Sequence, residues 1–120
     1  MLRRLIPIGF FVAAAAFVWA CASPTLPLPP PAAPTVTAGS DADHVDLISD
    51  TYGGAEPDAL IVIENQNPTL TADQIGVVTR ADDTGRWQAQ VYAHNGDVLA
   101  IWQEYGDLSS PPELLQVTLP

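Results

Sequence analysis

Apolar and polar residues alternate along the last 80 residues of the chain, with the period of two that β-strands with one buried face show. Near its middle, for example, Trp87, Ala89 and Val91 alternate with glutamines and a tyrosine. Clusters of glycine, proline, asparagine and aspartate separate these runs, as turns do in all-β proteins. The pattern therefore predicts an all-β sandwich. Its strands are expected at 45–49, 59–65, 76–81, 86–92, 98–104 and 114–119, with a candidate seventh near Thr69–Thr71.

The strand predicted after Gly96 has two candidate faces, and the loop before it decides between them. A two-residue Asn95-Gly96 turn would place Trp102 in the core. A three-residue loop that ends on a left-handed Gly96 would instead pair Val91 with Leu99 and turn Trp102 outward. The second register keeps the aliphatic residues together, so we predict a hairpin with the longer loop.

The first 21 residues have the form of a secretory signal peptide. Two arginines precede an apolar run, which ends at Val18-Trp19-Ala20-Cys21 with the only cysteine of the chain. This ending resembles the lipobox of bacterial lipoproteins, although a tryptophan stands where that motif usually has a small residue. The resemblance implies that the Cys21 thiol receives a diacylglyceryl group, that a peptidase cuts before Cys21, and that the new amino terminus can be acylated, for instance with palmitate.

Two other interpretations of this segment stay open. Ala20-Cys21-Ala22 also fits an ordinary signal peptide, which would release a soluble secreted domain. An uncleaved anchor helix is the other, but the apolar run is near the lower limit of roughly 17 residues for a membrane span. Pro7 and Gly9 weaken a helix there further.

Proline dominates residues 22–40, where it accounts for six of 19 positions. Because proline fixes φ and removes a backbone donor, we expect neither helix nor sheet in this segment. It should be an extended, disordered tether that reaches up to roughly 60 Å from the bilayer. The predicted division is a signal peptide at 1–20, a lipidated cysteine and tether at 21–40, and one β-domain at 41–120.

Charge excludes one class of partner. From Cys21 onward, 14 acidic residues face only Arg80 and Arg86, a net charge of −12, and there is no lysine. Such a surface repels phosphate backbones, so no nucleic-acid binding is expected. It also repels anionic headgroups, so membrane attachment must come from the lipid on Cys21.

No catalytic or metal-binding motif stands out, so we predict a protein that is not an enzyme and holds no cofactor or metal. Phosphate-binding glycine loops, Gly-x-Ser-x-Gly and His-Glu-x-x-His are all absent from the sequence. His44 lies in an acidic stretch, 41–46, whose spacing matches no zinc or calcium loop. Asp82, Asp83 and Asp97 are expected at opposite ends of one strand, where they act as turn formers.

The stretch from Gly76 to Pro120 resembles a bacterial immunoglobulin-like module. Shared features are a threonine-containing strand, an Asp-and-Gly turn, a strand that opens on Trp87, a Gly96-Asp97 turn, an alternating strand, and Ser110-Pro before the last strand. Carboxypeptidase-regulatory-like domains share much of this pattern and are the alternative. The resemblance implies a small immunoglobulin-like β-sandwich that serves as a spacer, stalk or binding surface.

In the predicted register, Tyr92, Val98 and Trp102 share an outward face, which is the candidate interaction face for a protein or glycan partner. The expected protein is a cell-envelope lipoprotein, anchored to the cell membrane or outer membrane through Cys21 and facing the periplasm or exterior. Its module would be structural or interaction-based. The alternatives are an accessory subunit or spacer with no ligand of its own, and a secreted soluble domain.

Overall fold

A computed structural model describes residues 27–120, which contain eight strands and one short helix. The strands are β1 (Thr35–Ala38), β2 (His44–Ser49), β3 (Leu60–Asn65), β4 (Gly76–Arg80), β5 (Trp87–Tyr92), β6 (Val98–Tyr105), β7 (Leu108–Ser109) and β8 (Glu113–Gln116). The helix, α1 (Ala72–Ile75), lies between β3 and β4.

The strands form two antiparallel sheets. The small sheet has the order β1-β2-β5, and the large sheet has the order β4-β3-β6, with β7 and β8 both paired to the far edge of β6. The chain passes between the sheets after β2, after β4 and again after β5. The predicted fold class, an all-β sandwich of two antiparallel sheets, is confirmed.

The core lies between the inner faces of the two sheets. Alternate residues of each central strand point into it, and these side chains are almost completely inaccessible to solvent. The core members from the central strands are Val45, Leu47, Ile61, Ile63, Trp87, Val91, Leu99 and Ile101. At 1.5–3 kcal/mol for each buried side chain, by a rough transfer estimate, this cluster supplies the main stabilising term.

Five of the six predicted strands form within about a residue of their expected bounds, and the last strand is shorter, ending at Gln116 rather than 119. The candidate seventh strand near Thr69–Thr71 is wrong. Thr71 is instead the N-cap of α1, where its backbone N–H donates to the Gln74 side chain at 3.1 Å.

The predicted hairpin between β5 and β6 is also wrong, because these strands belong to different sheets. Gly96 does adopt the predicted left-handed conformation, with φ of 92°. Its N–H donates to Val117 O at 2.8 Å, so the loop supports the chain after β8 instead of closing a hairpin. The predicted hairpin and the observed placement in two sheets bury the same alternate residues of β5 and β6. The alternation of apolar and polar residues therefore cannot distinguish them.

The expectation that residues 22–40 form no sheet is wrong for β1. Thr35–Ala38 contains no proline, so its N–H groups are free to join the ladder with β2. Val36 opposes Leu47 in that register, and its side chain packs against the core. The folded part of the chain therefore begins before residue 41.

Residues 27–34, here called the strap, have no helix or strand, as predicted, but they pack on the sandwich. Leu28 and Pro31 are buried, and Ala32 N donates to Gly54 O at 2.8 Å. The side-chain amide of the buried Gln103 holds the strap in place, because its Nε2 donates to Pro29 O at 2.7 Å. Ordered packing of this kind is inconsistent with a disordered tether over residues 27–40.

Candidate interaction face

The three residues of the predicted interaction face do not share a face. Tyr92 ends β5 in the small sheet, whereas Val98 and Trp102 lie on β6 in the large sheet. This correction follows from the hairpin that does not form. In place of Tyr92 and Gln88, the neighbours of Val98 and Trp102 are Gln116 and Val62.

Trp102 nevertheless faces outward, as predicted. Leu99, Ile101 and Gln103 point into the core, so the residues between them lie on the outer face of the large sheet. Trp102 is half-buried there, and its indole Nε1 donates to Glu104 Oε2 at 3.0 Å. The hydrogen bond satisfies the polar end of the ring and leaves its apolar part for contact.

Trp102 belongs to a row of apolar side chains that crosses the large sheet. Val78, Val62 and Trp102 are direct neighbours on β4, β3 and β6. One register position along, Ala100 opposes Leu114 of β8. Val78 and Leu114 are 61% and 65% exposed, whereas Ala100 between Leu114 and the rest of the row is 6% exposed. We call these five residues the Trp102 patch.

Charged side chains border the Trp102 patch along the strands. On one side, Arg80 and Glu104 flank Leu60 in the next outward-facing row. On the other, Glu64 opposes Ala100. An apolar centre with a charged border is the usual anatomy of a protein interface.

Sequence patterns contained a signal for this patch that the alternation rule does not use. Successive apolar residues occur at Ile61-Val62-Ile63, Val77-Val78 and Leu114-Leu115. In a strand, neighbours point to opposite faces, so such runs put apolar groups on both faces of the sheet. Without the strand order, however, they could not be assembled into one patch.

Tyr92 instead forms a cluster with the only two histidines of the chain. His44 and His94 both contact the Tyr92 ring edge-on, with centroid distances of 5.6 and 5.2 Å. His44 Nδ1 lies 2.7 Å from Asp41 Oδ1, and His94 Nε2 lies 2.9 Å from Asp43 Oδ1. The hydrogen bond from His44, with that from the Asp43 N–H, lowers the pKa of Asp41.

The aspartates of the acidic stretch 41–46 therefore do not converge on one point, because Asp41 contacts His44 and Asp43 contacts His94. Within residues 27–120, no group of three or more His, Cys, Asp or Glu side chains is placed to hold a metal ion. Neither histidine hydrogen-bonds to a serine, threonine or cysteine of the described chain, so no nucleophile–base pair forms there. The cluster fastens the loop before β2 to the loop after β5.

The turn aspartates have structural roles. Asp82 Oδ1 accepts hydrogen bonds from the Thr84 hydroxyl and from the N–H groups of Thr84 and Arg86, which lowers the pKa of Asp82. At the other end of β5, Asp97 accepts from His94 N at 2.9 Å and from the Asn65 amide at 3.1 Å. Each carboxylate therefore fixes a turn.

The predicted lipidation site, Cys21, lies outside the described residues, as does the whole predicted signal peptide. Among residues 27–120, no helix has the length and apolar character required to cross a bilayer. Comparisons with protein-family models, curated proteins and solved structures found no match to this chain.

Proposed function

We propose that this protein is a lipid-anchored, non-catalytic interaction module of the bacterial cell envelope. Cys21 carries the lipid, and the sandwich presents the Trp102 patch to a protein partner with basic side chains. The observation that carries the proposal is the exposed apolar row on the large sheet, with Val78 and Leu114 more than half exposed. Contiguous apolar surface of this kind is typical of interaction sites.

The membrane anchor rests on the lipobox-like ending Val18-Trp19-Ala20-Cys21. Two or three acyl chains give stable attachment, at about 0.8 kcal/mol for each buried methylene. The acidic domain supplies no basic patch that could bind lipid headgroups by itself. The lipid would therefore be the membrane contact that holds the protein at the cell membrane or outer membrane.

Charge complementarity points to a basic partner. The chain has 14 acidic residues, and Glu64 and Glu104 border the Trp102 patch directly. Arg80 is the one basic side chain beside it among the described residues. A partner with lysine or arginine around an apolar centre would be attracted over long range and then gain apolar contact area.

The contact test uses a photo-crosslinking residue in place of Val78 in the full chain, illuminated in isolated cell envelopes. The matched control carries the same residue in place of Ile48, which lies on the outer face of the small sheet. We expect a discrete adduct with a basic protein from position 78 only. Trp102→Ala should abolish that adduct, because central aromatic residues dominate interface energies.

Equal labelling from positions 78 and 48, or no effect of Trp102→Ala, would contradict the contact through the Trp102 patch. No adduct from either position would favour the alternative, an accessory subunit or spacer without a ligand of its own. Raising the salt concentration during illumination should weaken the adduct, since the complementary charges are screened.

The anchor has its own test. Cys21→Ser removes the thiol that the lipid requires, so the variant should leave the membrane fraction for the soluble fraction. Intact mass of the wild-type protein should show the diacylglyceryl group. Unchanged membrane retention of the variant, together with an unmodified wild-type mass, would contradict lipid anchoring.

A further inference from the structure

The strap enters the sandwich at one particular end. Pro27, Leu28 and Pro29 line a surface cavity together with Glu56, Tyr105 and Leu108. Tyr105 ends β6, and Leu108 begins β7 just after the turn. The first described residue of the chain therefore lies beside the β6–β7 turn.

We call this the strap end of the domain, and the antiparallel registers define what else lies there. β2 ends at Ser49, β5 begins at Trp87 opposite it, and β3 begins at Leu60 opposite Glu104. The loops 50–59 and 81–86 and the β6–β7 turn thus share the strap end. The far end carries the histidine cluster, the loop 93–97 and the residues after β8.

Three hydrogen bonds hold the strap and its neighbouring loop in place. Gln103 Nε2 donates to Pro29 O at 2.7 Å, while Glu56 N donates to Gln103 Oε1 at 2.7 Å. Ala32 N donates to Gly54 O. Gln103 is 2% exposed, so its side-chain amide would be costly to leave unpaired.

Because the strap packs on the domain, only a short length of chain separates Cys21 from the first described residue. Only five residues, 22–26, lie between Cys21 and Pro27, and the six Cα–Cα steps between them span at most about 20 Å even when fully extended. The full segment 21–40 could have reached roughly 60 Å. A domain on such a short connection has its point of entry close to the bilayer.

We propose that the domain stands on the membrane with its strap end toward the lipid surface and its far end toward the partner side of the envelope. This orientation rests on the proposed lipidation of Cys21. Arg80 ends β4 and Arg86 precedes β5, so both basic side chains of the domain lie at the strap end. The loops and the turn at this end carry six acidic residues, so the two arginines offset only part of the repulsion from anionic headgroups, and the orientation rests on the short connection rather than on charge.

This orientation places the Trp102 patch on the side of the standing domain. The strands run away from the membrane, and Trp102 lies toward the strap end of the eight-residue β6. A partner would approach parallel to the bilayer, which suits another envelope protein held in the same membrane. The carboxyl terminus lies at the far end, because Leu119 N donates to Asn95 Oδ1 at 2.7 Å.

The orientation can be measured with energy transfer from a dye on the protein to acceptor lipids in vesicles. Purified chain from Cys21 onward is coupled through its thiol to a maleimide lipid, so natural lipidation is not required. A clickable residue carries the donor at Asp107, on the strap end, or at Ala42, on the far end; both are exposed. We expect about twice the transfer from position 107, since β6 separates the ends by roughly 25 Å.

Two variants serve as controls. A Gly/Ser insertion of about 12 residues between Leu26 and Pro27 leaves the strap intact but frees the domain, so the difference between the two positions should shrink. Gln103→Ala should shrink it by releasing the strap, with a thermal melt to verify folding. Equal transfer from both positions in the unmodified chain, or more from Ala42, would overturn the orientation and leave the anchor untouched. Failed lipidation in cells would overturn the anchor and, with it, the orientation at the natural membrane, whatever the vesicles show.

Discussion

The two sheets share one core but differ on their outer faces. In the small sheet the outward positions include Asp46, Gln88 and Gln90, and the large hydrophobic side chains among them are Ile48, 38% exposed, and Tyr92, which packs against the two histidines. In the large sheet, the outward positions of three neighbouring strands hold Val78, Val62 and Trp102. The outer face of the small sheet is mostly polar, whereas the outer face of the large sheet exposes apolar area to water.

This difference shows what strict alternation means. An antiparallel strand with one buried face needs polar residues only where its other face stays wet. The small sheet meets that condition, whereas the large sheet keeps Val, Trp and Leu outside at the cost of solubility. Contiguous exposed apolar residues are typical of interaction sites, and this is the physical basis for proposing an interaction there.

The largest expected effect is on the small sheet. A chain that starts at Asp41 lacks β1 and the strap, which leaves a two-stranded sheet and removes buried Leu28 and Pro31. At about 1.5–3 kcal/mol for each buried apolar side chain, we expect the free energy of unfolding to fall by at least 3 kcal/mol. Denaturant unfolding of this chain beside one that starts at Pro27 measures the loss.

The chain that starts at Pro27 is the matched control and should unfold like one that starts at Ala22. If removal of residues 27–40 left the denaturant midpoint of unfolding unchanged, the strap and β1 would contribute nothing. The small sheet would then be stable with two strands, and the orientation argued from the strap would lose its basis.

The two tryptophans of the domain sharpen the comparison directly. Trp87 is 4% exposed on the inner face of the small sheet, whereas Trp102 is half-buried on the outer face of the large sheet. Trp87→Ala should cost about 3–5 kcal/mol of unfolding free energy, because it leaves a large cavity. Trp102→Ala should cost less than about 1.5 kcal/mol. Similar large losses in denaturant melts would place Trp102 in the core.

Much of the fold could be predicted from the sequence because strand periodicity is local. The alternation of Trp87, Ala89 and Val91 fixes an inner face whatever the neighbouring strand is. Sheet membership is not local, because β5 and β6 present the same pattern as hairpin partners or as strands that face each other across the core. The outward position of Trp102 was therefore right, although the hairpin used to argue it was wrong.

The candidate site was predicted in part for the same reason. Val98 and Trp102 come from one strand, so their common face follows from parity alone, but adding Tyr92 required a pairing that does not exist. The packing of the strap was not predicted because the prediction from proline content considered only the missing N–H donors. Pro29 needs no donor to be held, since its carbonyl accepts from Gln103.

Asp97 links β3 of the large sheet to the loop after β5 of the small sheet, and the pH dependence of stability tests this link. Partial burial raises its pKa, but hydrogen bonds from His94 N and from the Asn65 and Asn67 side chains outweigh that effect, so the pKa of Asp97 lies below its usual value. A lowered folded-state pKa stabilises the fold above the unfolded-state pKa of about 3.9. This contribution is lost as the pH falls through the folded-state pKa.

Asp97→Ala should therefore cost about 1–3 kcal/mol at neutral pH, since it leaves the Asn65 amide partly unpaired. The difference from the wild-type protein should shrink as unfolding is measured at progressively lower pH, below about 4. Asp41→Ala is the control, because its carboxylate is exposed, and only a small effect is expected. An Asp97→Ala loss that did not change with pH would show that the charge of Asp97 plays no part.

The smallest effect on stability, and the most direct test of the comparison, comes from equal substitutions on the two outer faces. Val78→Thr and Leu114→Thr keep strand propensity on the large sheet, and Ile48→Thr does the same on the small sheet. Because all three side chains are more than a third exposed, each should change the unfolding free energy by no more than about 0.5 kcal/mol. Only the large-sheet variants remove apolar area from a contiguous patch, so only they should weaken the binding of an apolar dye, and Leu114→Thr should also weaken the adduct formed from position 78. If Ile48→Thr had the same effect on both, the two outer faces would be equivalent and the difference between the sheets would have no functional meaning.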